Sequence, residues 1–219
     1  MVKIDQSTTT KMSDDISPKH LKLRVKFDLV PFFFQLLGHG FTINVRTGCS
    51  IKDLLCKQLS IKEDYLAERI TTIFLNSKVV DDLNFTIVNE GATLALSGAM
   101  PGLVGAVLRS GSFYAAMRRE ISHKKSKSST QSQPANITLK LMNLVVKELG
   151  PEFLQQGVWL KGQTLWEYLE SYINELKAGC ITCELDSKPV ELNNLREINW
   201  SDDMILLQVH SEALDRATQ

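Results

Sequence analysis

Four cysteines and four histidines are the side chains of this 219-residue chain best suited to metal or redox chemistry. Cys180 and Cys183 form a C-x-x-C motif, but they follow a predicted helix, so no helix N-terminus would lower a thiol pKa there. Residues three apart on a strand also point to opposite faces, which disfavours joint ligation of one metal ion. Cys49 and Cys56 stand seven residues apart and do not form a second closely spaced ligand pair. We therefore expect reduced thiols, no metal and no cofactor.

The remaining titratable residues do not form a catalytic pattern. The histidines, at positions 20, 39, 123 and 210, stand apart from one another and from any candidate nucleophile. The carboxylate pairs Asp81-Asp82 and Asp202-Asp203 fall in predicted turns and are interpreted as solvated. Neither a Walker-type loop nor a G-x-G-x-x-G motif is present. The sequence predicts no catalytic residue and a protein that is not an enzyme; an enzyme with a site between two modules is the lesser alternative.

The segment that begins at residue 98 combines glycines, apolar residues and a cluster of basic side chains. Residues 98–127 carry six lysines and arginines against the single acid Glu120. Phe113, Met117 and Ile121 recur at the i, i+4, i+8 spacing of a helix. Because arginine suits carboxylates and phosphates, the segment is a candidate docking element for a protein partner. The candidate partner-binding residues are Met100, Gly102, Leu103, Gly105, Arg109, Phe113, Tyr114, Arg118 and Arg119.

Two other interpretations of this segment stay open. It could pack on its own module with a solvated basic edge, or lie on a membrane surface as a short amphipathic helix. Nucleic-acid binding is disfavoured, because no wider basic face or aromatic platform accompanies the basic residues.

Composition and charge bound the class of protein. A hydrophobic content of 43% and a charged content of 23% are typical of soluble globular chains. No apolar run approaches the roughly 20 residues that span a bilayer, and the polar start lacks the core of a secretory signal. We expect a cytoplasmic protein without a transmembrane segment. Residues 1–136 hold 18 Lys/Arg and 12 Asp/Glu, whereas residues 137–219 hold 7 and 13, so the two parts could select different partners.

Apolar periodicity and turn residues predict the same order of elements in both halves of the chain. In the first half these are a strand at 20–30, its hairpin partner at 41–45, a helix capped by Ser50 with Asp53 at the capping-box position, a strand at 70–75, a turn at Asn76, a short strand at 79–80 and a last strand at 92–96. In the second half they are a hairpin of 137–149 and 155–161 turned at Gly150-Pro151, a helix from Thr164 to a C′ glycine at Gly179, a strand at 181–185, a turn at 186–188, a short strand at 189–190 and a last strand at 204–209.

This order resembles the ubiquitin-like β-grasp superfamily, and most closely the small sulfur-carrier proteins of thiamine and molybdopterin synthesis. The likeness rests on Phe74-Leu-Asn-Ser-Lys-Val-Val80 and on Asn89-Glu-Gly-Ala-Thr-Leu-Ala-Leu96. Those carriers show a similar apolar-Asn-Gly-x-x-Val turn and a similar acidic-Gly entry to their last strand. The likeness covers residues 20–100, with a degraded version at 137–210. It implies an α+β fold of two tandem β-grasp modules, each a mixed sheet packed on one helix.

The carriers act through a C-terminal Gly-Gly whose carboxylate is adenylated, and here the resemblance departs from the pattern. The chain ends Asp215-Arg-Ala-Thr-Gln219 without glycine. A glycine-containing stretch, Ser97–Gly105, stands where the carrier tail would be, but the chain continues beyond it. Cleavage after Gly102 or Gly105 would release such a tail; alternatively, the glycines shape a loop beside the sheet.

The sequence therefore predicts an adaptor that binds protein partners through its β-grasp modules and the 98–122 segment. The alternative is a ubiquitin-like modifier or sulfur carrier of a prokaryotic pathway, processed near Gly102 or Gly105, with an adenylating enzyme as partner. The predicted divisions are a disordered lead-in at 1–18, modules at 19–98 and 137–211, an amphipathic basic extension at 99–122, a flexible linker at 123–136 and a tail at 212–219.

Overall fold

The computed structural model describes residues 18–98, 102–108, 132–200 and 203–212. These described residues form two compact units, and within them the chain passes from one unit to the other twice. Within the described residues, the first unit comprises 37–98, 102–108 and 132–150, and the second comprises 18–36, 151–200 and 203–212. Strand His20–Val25 comes from the first half of the sequence but belongs to the second unit. Strand Pro134–Met142 comes from the second half but belongs to the first unit. The observed units therefore differ from the predicted modules in these two strands.

The strands, in chain order, are β1 His20–Val25, β2 Phe41–Arg46, β3 Cys49–Ser50, β4 Thr72–Leu75, β5 Lys78–Val79, β6 Ile87–Val88, β7 Thr93–Ser97, β8 Pro134–Met142, β9 Val158–Lys161, β10 Cys180–Leu185, β11 Lys188–Pro189 and β12 Met204–Ser211. The α-helices are α1 Phe34–His39, α2 Ile51–Asp53, α3 Glu63–Glu68, α4 Gly102–Leu108, α5 Leu144–Gln156, α6 Gly162–Ser171 and α7 Ile173–Gly179. A 3-10 helix, Phe27–Phe33, leads into α1, a π-helical stretch, Leu54–Gln58, continues α2, and a second 3-10 helix spans Leu192–Glu197. Both units combine helices with a sheet of mixed direction, in agreement with the predicted α+β class.

The first unit contains the strand order β2-β8-β7-β4-β5. Strand β8 pairs antiparallel with β2 and parallel with β7, so that Leu139 lies opposite Phe41 on one side and Leu94 on the other. Strand β4 then pairs antiparallel with both β7 and β5. The side chains of Phe41, Leu94 and Leu139 are fully buried, which places the core of this unit on that face of the sheet.

The helix predicted after Ser50 is present, and its cap is confirmed. The Ser50 hydroxyl accepts a 3.1 Å hydrogen bond from the backbone N–H of Asp53, which satisfies one free donor of the first turn. Ile51, Leu54 and Leu55 are all buried, so the apolar stripe of the helix faces the core as its spacing predicts.

The second unit contains the strand order β11-β10-β1-β12-β9. Strand β1 pairs parallel with β12 and antiparallel with β10, and β12 pairs antiparallel with β9. Leu21, Leu23 and Val25 are fully buried, whereas the alternate residues Lys22 and Arg24 are exposed. The predicted alternation is therefore confirmed for residues 20–25, where one face of the strand forms the core. The predicted extension of the strand to residue 30 is wrong, because a 3-10 helix begins at Phe27 and leaves that ring 63% exposed.

The two predicted hairpins are wrong. The neighbours of β1 are β10 and β12, and those of β8 are β2 and β7, so neither strand pairs with the strand that follows it. Residues 27–39 and 144–156 are helical instead, with Pro151 inside α5. The connection at 31–40 is apolar because its side chains, among them Phe33 and Leu36, are core residues and not turn residues. In the second half, Gly150-Pro151 imitates a turn signal, but burial of Phe153 and Leu154 favours continued helix.

The two turns predicted at Asn76 and at residues 186–188 are confirmed and share one conformation. Asn76 and Ser77 have φ of 49° and 65°, and Asp186 and Ser187 have 50° and 64°. Asn and Asp tolerate this left-handed region better than most residues, because their short polar side chains bond locally.

Gly179 ends α7 as predicted, but for a different reason. Its φ lies outside the left-handed range, so it is not a C′ glycine of the usual kind. A Cβ at this position would lie 2.9 Å from Cδ2 and 3.0 Å from Cβ of Leu29. The glycine is needed because the 3-10 helix Phe27–Phe33 packs directly against the end of α7.

Candidate partner-binding site

The residues at the end of strand β7 are closely packed in the first unit. The buried Ser97 hydroxyl accepts a 2.7 Å hydrogen bond from Nδ2 of Asn143 and donates to the carbonyl of Gly98 at 3.2 Å. A Cβ on Gly98 would lie 3.2 Å from Cβ of Leu144 and 3.4 Å from the carbonyl oxygen of Arg69. The start of the candidate segment is thus held by the packing of its own unit, and a side chain at position 98 would have to displace its neighbours.

Helix α4 contains three of the candidate partner-binding residues. Gly102 is exposed and has φ of 79°, with open space where a Cβ would be, whereas Gly105 is buried. The Thr72 hydroxyl donates to the carbonyl of Leu108 at 3.4 Å. Leu103 lies within this helix, and only its backbone is described. The described part of the segment therefore packs on the first unit, which was one of the open interpretations.

The other six candidates lie outside the described residues. They are Met100, Arg109, Phe113, Tyr114, Arg118 and Arg119. Docking of a partner on the basic part of the segment remains a prediction. Strand β8 begins at Pro134, three positions before the predicted start of the second module, so the last residues of the predicted linker belong to a sheet.

The cysteines have the properties of packed thiols. All four are free, and Cys183 is buried while the other three are half-buried. Burial raises the pKa of Cys180 to about 11. Burial, followed by the neighbouring Cys180 and Glu184, raises the pKa of Cys183 to about 12. At neutral pH both thiols are protonated, which makes them poor nucleophiles and poor metal ligands.

No group of three or more His, Cys, Asp or Glu side chains in the described part of the chain could hold a metal ion. A depression of about 440 Å³ in the first unit is lined by apolar residues, among them Leu66, and by charged residues that include Lys52 and Glu63, which pair at 2.8 Å. A second depression of about 310 Å³ lies beside Cys180 and Glu191 in the second unit. Both depressions lie on the surface, and neither combines a nucleophile with a base within hydrogen-bonding distance among the contacts described.

The second unit carries a surface that sequence reasoning missed. The rings of Phe32, Tyr168 and Tyr172 form a triangle, with centroids 5.0 Å, 5.6 Å and 5.2 Å apart. We call these three residues the aromatic patch. The Tyr168 hydroxyl donates to the carbonyl of Phe32, and burial raises the pKa of this phenol to about 12. Tyr172 is 37% exposed, although it stands at helical spacing from the buried Leu165 and Leu169.

The elements that supply the aromatic patch also carry exposed carboxylates. Asp28 lies in the 3-10 helix that supplies Phe32, and Glu167, Glu170 and Glu175 lie on α6 and α7. Phe27, the first residue of that 3-10 helix, is 63% exposed. The signal available in the sequence was the i, i+4 pair of tyrosines, but helical spacing alone does not distinguish a core stripe from a half-exposed one.

The three tryptophans are not exposed. Trp200 is buried and donates from Nε1 to the carbonyl of Leu195 at 2.7 Å. Its ring stacks on that of Trp166, with centroids 5.6 Å apart and an angle of 6° between the planes. Trp159 on β9 is half-buried. The tryptophans therefore contribute to packing in the second unit, and the exposed aromatic surface is formed by tyrosine and phenylalanine.

Comparison of the chain with protein-family models, curated proteins and solved structures finds no match. Within the described residues, every helix is too short or too polar to cross a membrane. The resemblance to the ubiquitin-like superfamily therefore remains a prediction, supported by the residues quoted above.

Proposed function

We propose that the chain is a non-enzymatic adaptor made of two ubiquitin-like β-grasp units, which binds protein partners in the cytoplasm. The observation that carries the proposal is a strand pattern common to both units. The first unit has the order β2-β8-β7-β4-β5 and the second unit has the order β9-β12-β1-β10-β11. In both orders the four successive pairs are antiparallel, parallel, antiparallel and antiparallel. A central parallel pair with antiparallel neighbours, packed on helices, is the arrangement expected of a β-grasp sheet.

In this proposal each unit takes one central strand from the other half of the sequence. The first unit uses β8 beside β7, and the second uses β1 beside β12. The two β-grasp units would therefore be assembled from exchanged strands, which differs from the simple tandem arrangement that the sequence predicts.

Binding of protein partners is supported by the surfaces of the chain. The aromatic patch offers rigid rings of the type enriched at interaction hot spots. The basic part of the 98–122 segment follows α4, which is packed on the first unit and would present that part from a fixed point. The four free cysteines are consistent with a reducing compartment.

Affinity capture with three forms of the full chain tests the proposal. Because α4 packs on Thr72, deletion of all of 98–122 would disturb the first unit, so the test variant replaces only residues 109–122 by a Gly-Ser linker of equal length. A second variant, Arg109→Gln/Arg118→Gln/Arg119→Gln, removes charge without changing length. We expect both variants to lose proteins that the wild type captures. If all three forms capture the same proteins, the segment does not bind partners and has only a packing role.

The alternative function requires proteolytic release of a carrier-type tail, and the exposure of Gly102 favours cleavage at that position. Gly102 is exposed, with a left-handed backbone and open space around it, so a protease could reach this position. Gly102 is the first residue of α4, whereas Gly105 is buried in the middle of the helix, so cleavage after Gly105 would require more of the helix to unfold. Intact-mass spectrometry of the protein from its native cell tests this. A product ending at Gly102 would support a modifier or sulfur carrier that an adenylating enzyme activates, and a single species ending at Gln219 would exclude it.

A further inference from the structure

We propose that the aromatic patch is a self-association surface that binds the basic segment, residues 109–127, of a second copy of the chain. This goes beyond the adaptor function, which requires only foreign partners. Each copy carries one patch and one segment, so the contact would be heterologous: the patch of one copy receives the segment of another.

The shape of the patch suits a polypeptide with cationic side chains. The three rings pack against one another at 5.0–5.6 Å, so they lose little freedom when a ligand covers them. Tyr172 presents more than a third of its surface to solvent. Guanidinium groups stack on such rings through cation–π attraction.

The elements that form the patch carry a charge opposite to that of the segment. The elements that form it, residues 27–33 and 162–179, contain the exposed acids Asp28, Glu167, Glu170 and Glu175 and one lysine, Lys177. Lys26 flanks the site, and its ammonium donates to the carbonyl of Ala178 at 3.2 Å. Of the acids, Glu170 lies 3.8 Å from Arg196.

The basic segment supplies the complementary groups. It contains Arg109, Arg118, Arg119 and three lysines against the single acid Glu120. It also alternates these charges with Phe113, Tyr114, Met117 and Ile121, which can pack on the rings. A polypeptide that combines arginine with apolar side chains can satisfy the carboxylates and cover the aromatic surface at the same time.

Sedimentation velocity of the full chain tests the proposal by exchange of charge. We expect the wild type to associate as its concentration rises and to dissociate at high salt, because exposed charge pairs are screened. Asp28→Lys/Glu175→Lys, on the elements that form the patch, and Arg118→Glu/Arg119→Glu, in the segment, should each weaken association at least about tenfold. An equimolar mixture of the two variants should associate again, because each supplies the charge that the other now requires.

Two controls separate this contact from general charge effects and from misfolding. Glu191→Lys reverses an exposed acid in the same unit, beside the 310 Å³ depression and outside the elements that form the patch, and should leave association unchanged. Tyr172→Ala should weaken association without a change of net charge, and circular dichroism establishes that each variant is folded. A wild type that stays monomeric at every concentration, or a variant mixture that does not associate, would overturn the proposal.

Discussion

The carboxylate of Asp186 accepts a 2.7 Å hydrogen bond from the backbone N–H of His20, a residue 166 positions earlier in the chain. The N–H of Asp186 returns a 2.9 Å bond to the carbonyl of His20. Asn76 makes the same pair of bonds with Thr93, at 2.8 Å in each direction. A left-handed turn thus holds the first residue of a strand in both units, but the strand is β7 in the first unit and β1 in the second.

The first prediction concerns this turn. Asp186→Ala should destabilise the chain by about 1–2 kcal/mol, because it removes an acceptor and places alanine at a positive φ. Asp186→Asn, which keeps an oxygen acceptor and tolerates the left-handed region, should stay close to the wild type. Urea unfolding measures the difference. Equal losses for both variants would show that the carboxylate charge, and not the bond to His20, is what matters.

The second prediction concerns the close approach at Gly179. Gly179→Ala should cost about 1–3 kcal/mol, because its Cβ would lie 2.9 Å from Cδ2 of the Leu29 side chain. Adding Leu29→Ala should recover part of that loss, since the side chain that causes the clash is then removed. Thermal unfolding of the single and double variants measures the coupling between positions 29 and 179. If the two losses of stability simply add, the cost of Gly179→Ala does not come from contact with Leu29.

The third prediction is a pH dependence centred on Glu148 in α5. Its carboxylate accepts bonds from Arg69 and, at 2.7 Å, from the Tyr65 hydroxyl. The Arg69 bond, followed by the Tyr65 bond, lowers the pKa of Glu148. The folded-state pKa therefore lies below the unfolded one, so this stabilisation is present at neutral pH and is lost as the pH falls through the acidic range.

Urea unfolding of the wild type and of Glu148→Gln, at neutral and at acid pH, measures this effect. Because both partners are partly exposed, we expect a difference of no more than about 1 kcal/mol at neutral pH, which should vanish in acid. Tyr65→Phe is the matched control and should remove part of the same difference. A gap between wild type and Glu148→Gln that persists unchanged in acid would contradict the assignment.

The fourth prediction concerns the C-x-x-C motif. Because burial raises the pKa of Cys180 to about 11, its alkylation by iodoacetamide should rise about tenfold with each pH unit from 7 to 9. A redox-active cysteine would instead react at nearly full rate close to neutral pH. Peptide mapping after timed alkylation resolves each site, and we expect the buried Cys183 to react most slowly. A rate that levels off near pH 7 would contradict this interpretation.

Local structure was predictable wherever neighbouring residues in the sequence decide it. The cap of Ser50, the turns at Asn76 and Asp186 and the alternating burial of β1 all depend on contacts within a few positions or on a period of two. The exposure of Tyr172 could not be predicted, because helical spacing places it on one face without showing whether another element covers that face. The same limit applies to Gly179, whose partner Leu29 is 150 positions away in the sequence.

The sequence by itself determined that each half forms short alternating strands, a helical region and a left-handed turn, and that these combine into an α+β structure. Only the tertiary structure decided which strand fills each place in the sheets. Leu21, Leu23 and Val25 in β1 and Ile137, Leu139 and Leu141 in β8 present similar apolar faces, and either pattern can pair with any strand of matching burial. The helices at 27–39 and 144–156 separate each of these strands from its expected hairpin partner. The strands therefore pair with distant partners, and the unit to which each belongs is set by packing and not by order in the chain.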